Sequence, residues 1–252
     1  MASVATPNPS AETASSGMGR SNASGPTPYV GLVKPSADDR LVRVFDLAYE
    51  CLRRKINGGR IRVENEASLQ LQFAAILKSV GELLEVERDE FFAIELEKPV
   101  TLSDRSFGKS GSAKAKIDIY FSYTNATTKA VRSCAVEMKF FKKQNHREPN
   151  NRYDVFADIH NLENYGHVAD QCFMVVGTDH DHYVNQPQYS ADTSDFDFRQ
   201  GASYAAGATA TYRTAKVYGA PITLRGSYAF AWDQTREGLH FLRVHVEPAR
   251  ES

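Results

Sequence analysis

The chain has 252 residues, 42% of them hydrophobic, and a formal net charge of −1. This length and composition allow a sizeable core, which favours a globular protein of one or two domains over a disordered one. The near-neutral charge excludes a histone-like polyanion binder but allows a locally basic groove. The three cysteines have no CxxC spacing, so neither a zinc site nor a disulfide framework is indicated. With no apolar run of the roughly 18 residues that span a bilayer, we expect a soluble cytoplasmic protein without membrane contacts.

The first 35 residues differ in composition from the rest of the chain. Residues 1–35 are rich in Ser, Ala, Thr, Gly and Pro and poor in large apolar side chains. Ordering such a segment would bury too little apolar surface to offset the loss of conformational entropy. We therefore predict a disordered tail at 1–35 and a folded domain at 36–252.

Two helices are predicted next. Ser36 is a candidate N-cap for the first helix, and Gly58 is a candidate for its end. Asn65 is a candidate N-cap for the second helix, in which Glu66 heads the apolar stripe. In both helices the apolar residues recur at steps of three and four, the spacing of one buried face. They are Leu41, Val44, Phe45, Ala48, Leu52 and Ile56 in the first helix and Leu69, Phe73, Ile76, Val80 and Leu83 in the second.

The period of the apolar pattern then changes from 3.6 to 2, which is typical of strands. The strand segments are 91–96, 115–123 and 131–141. In the second segment Ile117, Ile119 and Phe121 are expected to face one way and Asp118 the other. The polar, turn-forming sequence TNATTKA joins the second and third segments and predicts a hairpin.

A third helix and a fourth strand follow. Asn151 is a candidate N-cap for the helix. Residues 171–178 are nearly all apolar, as in a strand covered on both faces, and their place after a helix predicts a parallel crossover. Residues 185–220 show no convincing period. Two apolar segments, 226–233 and 239–247, predict a C-terminal β-hairpin that extends the sheet or packs beside it.

The third strand carries two charged residues among apolar ones. Glu137 and Lys139 are two positions apart, so the pleat places both side chains on the same face. Hairpin pairing is expected to bring the carboxylate of Asp118 beside that of Glu137. A divalent cation between them would relieve their repulsion, and Mg²⁺ prefers such hard oxygen ligands. Lys139 can then position a water molecule or meet negative charge that develops on a phosphate.

Asp118, followed by Glu137-x-Lys139 on the next strand, resembles the D…(D/E)xK signature of the PD-(D/E)xK, or restriction-endonuclease-like, nuclease superfamily. The resemblance implies an α/β fold with an αβββαβ core, in which helices flank a central mixed sheet. The elements predicted over 65–178 have this order. An acidic residue on the helix before the sheet often completes the site in this superfamily, which implies Glu66 here.

The resemblance implies a nuclease that hydrolyses DNA with Mg²⁺, for which Mn²⁺ substitutes, in restriction or genome defence. Asp118, Glu137 and Glu66 would be metal ligands and, together with Lys139, catalytic. A repair or recombination nuclease is the alternative within this class, and the motif is compatible with a homodimer. Two alternatives belong to other classes. One is a non-catalytic module of the same fold that binds nucleic acid or protein, and the other is a structural domain whose strand charges pair internally.

The charge distribution favours a nucleic-acid partner. Residues 105–152 contain eleven Lys or Arg and three acidic residues, a local net charge of +8. The candidates for contact with a DNA backbone are Lys109, Lys114, Lys142, Lys143, Arg147 and Arg152. Asp154 and Asp158, one turn apart on the third helix, suit a structural role at least as well as a catalytic one. The sequence DHDH at 179–182 lacks the spacing of a closed metal site.

Overall fold

The computed structural model describes residues 36–101, 114–235 and 238–249. These residues belong to one compact unit, Pro35–Ser252. The tail predicted at 1–35 lies outside the described residues. Within them, no helix is both long and apolar enough to cross a bilayer.

The longer helices and strands up to the fourth strand follow one another in the order that the sequence predicts. The longer elements are α1 (Ala37–Asn57), α2 (Glu66–Leu83), β1 (Glu90–Thr101), β2 (Lys114–Asn125), β3 (Val131–Phe141), α3 (Glu148–Glu163) and β4 (Gln171–Thr178). The shorter ones are α4 (His182–Asn185), β5 (Ser203–Tyr204), β6 (Thr209–Ala210), β7 (Ile222–Thr223), β8 (Tyr228–Ala229), β9 (Trp232–Gln234) and β10 (His240–Val246). From α2 to β4 the order is therefore α, β, β, β, α, β.

One mixed sheet of six strands forms the centre of this α/β fold, in the order β1-β2-β3-β4-β10-β9. Strands β1, β2 and β3 pair antiparallel, and β3 pairs parallel with β4 across the α3 connection. Strands β9 and β10 form the predicted C-terminal hairpin, which extends the sheet because β10 pairs with β4. Strand β8 is separate from this hairpin and pairs with β5.

The first two helices begin where the sequence predicts. Ser36 and Asp39 form a reciprocal capping box at the start of α1, and Asn65 and Ser68 form one at the start of α2. All six predicted apolar positions of α1 are buried. In α2 the stripe ends earlier than predicted, because Leu83 in the last turn is 81% exposed.

The third helix begins three residues before the predicted cap. Pro149 occupies its first turn, where a missing backbone N–H is tolerated. Asn151, the predicted N-cap, is instead buried and donates a hydrogen bond to the hydroxyl of Tyr183 at 2.8 Å. A short 3₁₀ turn, Tyr165–His167, follows the helix.

The sheet separates two cores, and β3 contributes to both. Val136 and Met138 face the core formed with α1 and α2, whereas Ala135 and Phe141 face the core formed with α3 and the segment after α4. The apolar side chains of β3 are therefore buried on both faces. Segment 185–220, which the sequence left without a period, consists mostly of irregular chain that packs against α3.

The predicted alternation of β2 fails at one point. Ile119 and Phe121 pack on the α1 and α2 side, but Ile117 packs on the α3 side. The partner strand β1 is kinked at this level, since Glu97 has a φ of 52° and drops out of the ladder between Leu96 and Lys98. The expectation that Ile117 shares a face with Ile119 is therefore wrong, and the break falls on Asp118.

Candidate active site

Strands β2 and β3 part at Asp118. Their ladder runs from Thr124 opposite Val131 to Ile119 opposite Val136 and ends there. At the next position Oδ2 of Asp118 accepts a hydrogen bond from the backbone N–H of Met138 at 2.6 Å. A side-chain carboxylate thus replaces a backbone carbonyl as the partner of β3.

Gln70 of α2 holds this opening in place. Its Nε2 donates to the backbone carbonyl of Asp118 at 2.6 Å and to Oε1 of Glu97 at 3.2 Å. The kink at Glu97 would otherwise leave the Asp118 carbonyl without a partner from β1. Sequence reasoning missed Gln70, and the signal available was its position one turn after Glu66 on the same helix.

Glu66, the first residue of α2, lies at the border of β3. Its Oε2 accepts a hydrogen bond from the backbone N–H of Phe140 at 3.1 Å. The backbone N–H groups of Met138 and Phe140 on the β2 side of β3 are therefore satisfied by two carboxylates, those of Asp118 and Glu66. This arrangement fixes the start of α2 against the end of β3.

Glu137 is buried on the α3 side of the sheet, with 5% of the residue exposed. Its Oε1 accepts a hydrogen bond from the hydroxyl of Tyr165 at 3.2 Å. Burial raises the pKa of Glu137 well above its ordinary value, and the neighbouring carboxylates of Asp158 and Asp118 raise it further. The negative form of Glu137 therefore needs a compensating positive charge.

Lys139 forms a buried ion pair with α3. Its Nζ lies 2.8 Å from Oδ2 of Asp158, with 17% and 6% of the two side chains exposed. The ammonium also donates to the backbone carbonyl of Met138 at 2.9 Å. Although burial lowers the pKa of Lys139, four carboxylates outweigh it and raise this pKa above its ordinary value. They belong to Asp158, Glu66, Asp118 and Glu137.

Asp118 shares the same electrostatic environment. Burial raises its pKa to about 6, while Lys139 and the hydrogen bond from Met138 oppose this rise. The carboxylates of Glu66 and Asp158 add to it. Asp118 consequently binds a proton more tightly than an exposed aspartate does.

The carboxyl groups of the site are of the donor type that a divalent cation such as Mg²⁺ prefers. One ammonium lies among four carboxyl groups at a largely buried place, and the raised pKa values of Asp118 and Glu137 indicate that their negative forms lack full compensation. Among the described residues, no group of three or more His, Cys, Asp or Glu side chains forms a ready-made metal cage. Mg²⁺ is commonly bound through one or two carboxylates and retains several waters. Asp118 and Glu137, flanked by Glu66, are the residues that would hold it.

The cations expected to bind DNA lie in different environments. Lys143 and Arg147 are exposed and Lys142 is half-buried, all three in the segment that follows β3. Lys114 is the first residue of β2, and Lys109 lies outside the described residues.

The prediction that Arg152 contacts a DNA backbone is wrong, because this residue is buried in the core and does not belong with the surface cations. Its residue exposure is 2%, and it donates to the carbonyls of Thr193 and Phe196 at 2.9 and 2.8 Å. Its guanidinium also lies 3.6 Å from the centre of the Tyr189 ring. Arg152 holds the segment after α4 onto α3, and this long-range contact leaves no signal in the local sequence.

In comparisons with known proteins, no family model, curated protein sequence or solved structure matches the chain. The functional assignment therefore rests on the chemistry of the site itself.

Proposed function

We propose that the chain is a Mg²⁺-dependent nuclease that hydrolyses DNA phosphodiester bonds, with a restriction-endonuclease-like core and a role in restriction or genome defence. The observation that carries this proposal is the convergence of Asp118, Glu137 and Glu66 with Lys139 where β2 and β3 part. Three separate elements contribute these residues. A structural domain has no need for four carboxylates around one buried ammonium, since unpaired buried charge destabilises a fold.

The residues have distinct roles under this proposal. Asp118 and Glu137 would hold the divalent cation, which supplies Lewis-acid stabilisation of the phosphate and a more acidic bound water. Gln70 and Glu66 orient β2 and β3, the two strands that carry Asp118 and Glu137. Lys139 remains protonated among the carboxylates and provides positive charge where negative charge develops on the scissile phosphate.

The surface charges support DNA as the substrate. Lys143 and Arg147 are exposed beyond the end of β3, four and eight residues after Lys139 in the sequence. Neither forms an ion pair with another described side chain. Exposed cations in this segment can neutralise backbone phosphates next to the scissile one.

Cleavage of plasmid and genomic DNA, with Mg²⁺ or with a chelator, tests the proposal. Wild-type protein and Asp154→Asn, a matched change one helical turn from Asp158, should cut in Mg²⁺. Asp118→Asn should cut at least 10²-fold more slowly. Cleavage that persists in chelator, or an Asp118→Asn variant as active as wild type, would contradict the proposal.

Calorimetric titration with Mn²⁺ separates the alternatives. A metal-dependent nuclease binds Mn²⁺ and cuts, whereas Asp118→Asn loses a negative ligand and should bind Mn²⁺ more weakly. Mn²⁺ binding without cleavage would indicate the non-catalytic module. If wild-type protein neither binds Mn²⁺ nor gains thermal stability from it, the site is structural.

A further inference from the structure

A second group of cations lies at the end of α1 and in the connection from α1 to α2. Residues 53–63 contain five Lys or Arg and no acidic residue. Two of the five pair with acidic side chains of α1 and β9. The other three, Lys55, Arg60 and Arg62, are exposed and form no ion pair with any side chain in the described part of the chain. We call these three residues the α1–α2 ridge.

The backbone of the connection turns the ridge cations outward. Gly59, with a φ of 65°, makes the turn after α1. Ile61 and Val63 then pack against the α1 and α2 core, while Arg60 and Arg62 alternate with them and face solvent. In an extended segment, residues two apart are separated by about 6.6 Å. Phosphates of one DNA strand follow each other at a rise of about 3.4 Å, so side chains at this spacing can contact phosphates of the same strand.

The ridge borders the candidate active site. The hydrogen bond from the Phe140 N–H to Glu66 fixes the first residue of α2 beside the end of β3. The connection that precedes α2 and the segment that follows β3 therefore lie at the same end of the sheet. Arg62 precedes Glu66 by four residues, and Lys142 follows Phe140 by two.

The positive charge of the ridge can offset the repulsion between the carboxylates of the site and a phosphate backbone. The carboxylates around Lys139 repel a phosphate backbone, so affinity for one must come from cations next to them. Glu64 is the one acidic side chain between the ridge and α2, and it is exposed. The three cations of the ridge outnumber it.

We propose that the α1–α2 ridge binds the backbone of double-stranded DNA and directs it across the candidate active site. This inference rests on the proposed function for its substrate, but it concerns residues outside the carboxylate cluster. It requires contact with backbone phosphates and no metal ion.

Fluorescence anisotropy of a labelled DNA duplex, in chelator and over a series of salt concentrations, tests the ridge. The double variant Arg60→Glu/Arg62→Glu should bind at least 10-fold more weakly than wild type at low salt. Its slope of log affinity against log salt should be shallower by about 2, for two lost phosphate contacts. Glu64→Gln should bind more tightly than wild type. Thermal unfolding of each variant verifies that the fold is retained.

The matched control is Arg88→Glu/Lys129→Glu, which changes the charge equally at the opposite end of the sheet. At that end, the backbone N–H of Ala126 in the β2–β3 turn donates a hydrogen bond to the backbone carbonyl of Asp89. Lys129 lies in the same turn, and Arg88 precedes Asp89. This control should bind DNA as wild type does.

The outcomes distinguish the ridge from the nuclease assignment. If the ridge variant binds DNA within twofold of wild type, or with the same salt slope, the inference is overturned even where wild-type protein cleaves DNA. Tighter wild-type binding to duplex RNA or to anionic lipid vesicles than to DNA would also overturn it. A ridge variant that loses binding supports the inference even if wild-type protein does not cleave DNA in Mg²⁺.

Discussion

Nζ of Lys139 lies 2.8 Å from Oδ2 of Asp158, and this ion pair joins β3 to α3 with little exposure to solvent. The sequence left a structural and a catalytic role open for both Asp154 and Asp158, and the structure places the two side chains differently. Asp158 contacts the candidate site, whereas Asp154 accepts a hydrogen bond from Tyr218 at 3.4 Å near the surface.

Asp158→Asn should destabilise the protein by about 1–3 kcal/mol, because it removes the nearest partner of a buried ammonium. The loss is smaller than for an isolated buried pair, since three other carboxylates still surround Lys139. Urea denaturation measures the change in the free energy of unfolding. Asp154→Asn is the matched control and should lie within about 0.5 kcal/mol of wild type. Equal stability of the two variants would refute a structural role for the Lys139–Asp158 pair.

The raised pKa of Asp118 predicts how stability depends on pH. The folded pKa is about 6, against an ordinary value of 3.8, so the folded protein binds this proton more tightly. The resulting stabilisation is complete below about pH 3.8 and is lost as the pH rises to about 6. Asp118→Asn keeps a side-chain oxygen that can accept the hydrogen bond from the Met138 N–H. Because an amide does not titrate, the variant does not lose this stabilisation as the pH rises.

The stability of Asp118→Asn relative to wild type should therefore rise by about 2–3 kcal/mol between about pH 3.5 and pH 7. Urea denaturation in chelator at a series of pH values measures it. A stability difference that stays constant with pH would show that the Asp118 carboxyl is not perturbed by its surroundings.

Arg152→Ala tests the corrected position of this arginine. The substitution leaves the carbonyls of Thr193 and Phe196 without their donor and opens a cavity beside Tyr189. It should destabilise the protein by about 3 kcal/mol or more. Arg147→Ala, at an exposed residue of the same region, should change stability by less than about 0.5 kcal/mol. Comparable stability of the two variants would show that Arg152 belongs with the surface cations.

The sequence predicts the parts of the fold that local chemistry determines. Ser36 and Asn65 can be identified as caps because the acceptor and its helix are neighbours in sequence. The bounds predicted for β3, 131–141, are confirmed because its apolar run is bordered by polar residues. The general α/β class follows from the same patterns, whereas the sequence left open whether the C-terminal hairpin extends the sheet, as it does in the six-stranded sheet observed.

Contacts between distant segments account for what could not be predicted. The kink at Glu97 and the reorientation of Ile117 depend on Gln70, which lies in another element. The burial of Arg152 depends on a segment more than 40 residues away that has no period of its own. The placement of Glu66, by contrast, could be proposed from the resemblance, because the residue heads a helix that packs on the sheet.

The single-turnover rate of DNA cleavage by Lys139→Ala in Mg²⁺ tests the central claim most directly. The substitution removes a cation but no metal ligand, so Mn²⁺ affinity measured by calorimetry should be retained or increased. The cleavage rate should fall by about 10²-fold or more, as for other groups that stabilise charge in the transition state. Cleavage by Lys139→Ala at the wild-type rate would contradict the account.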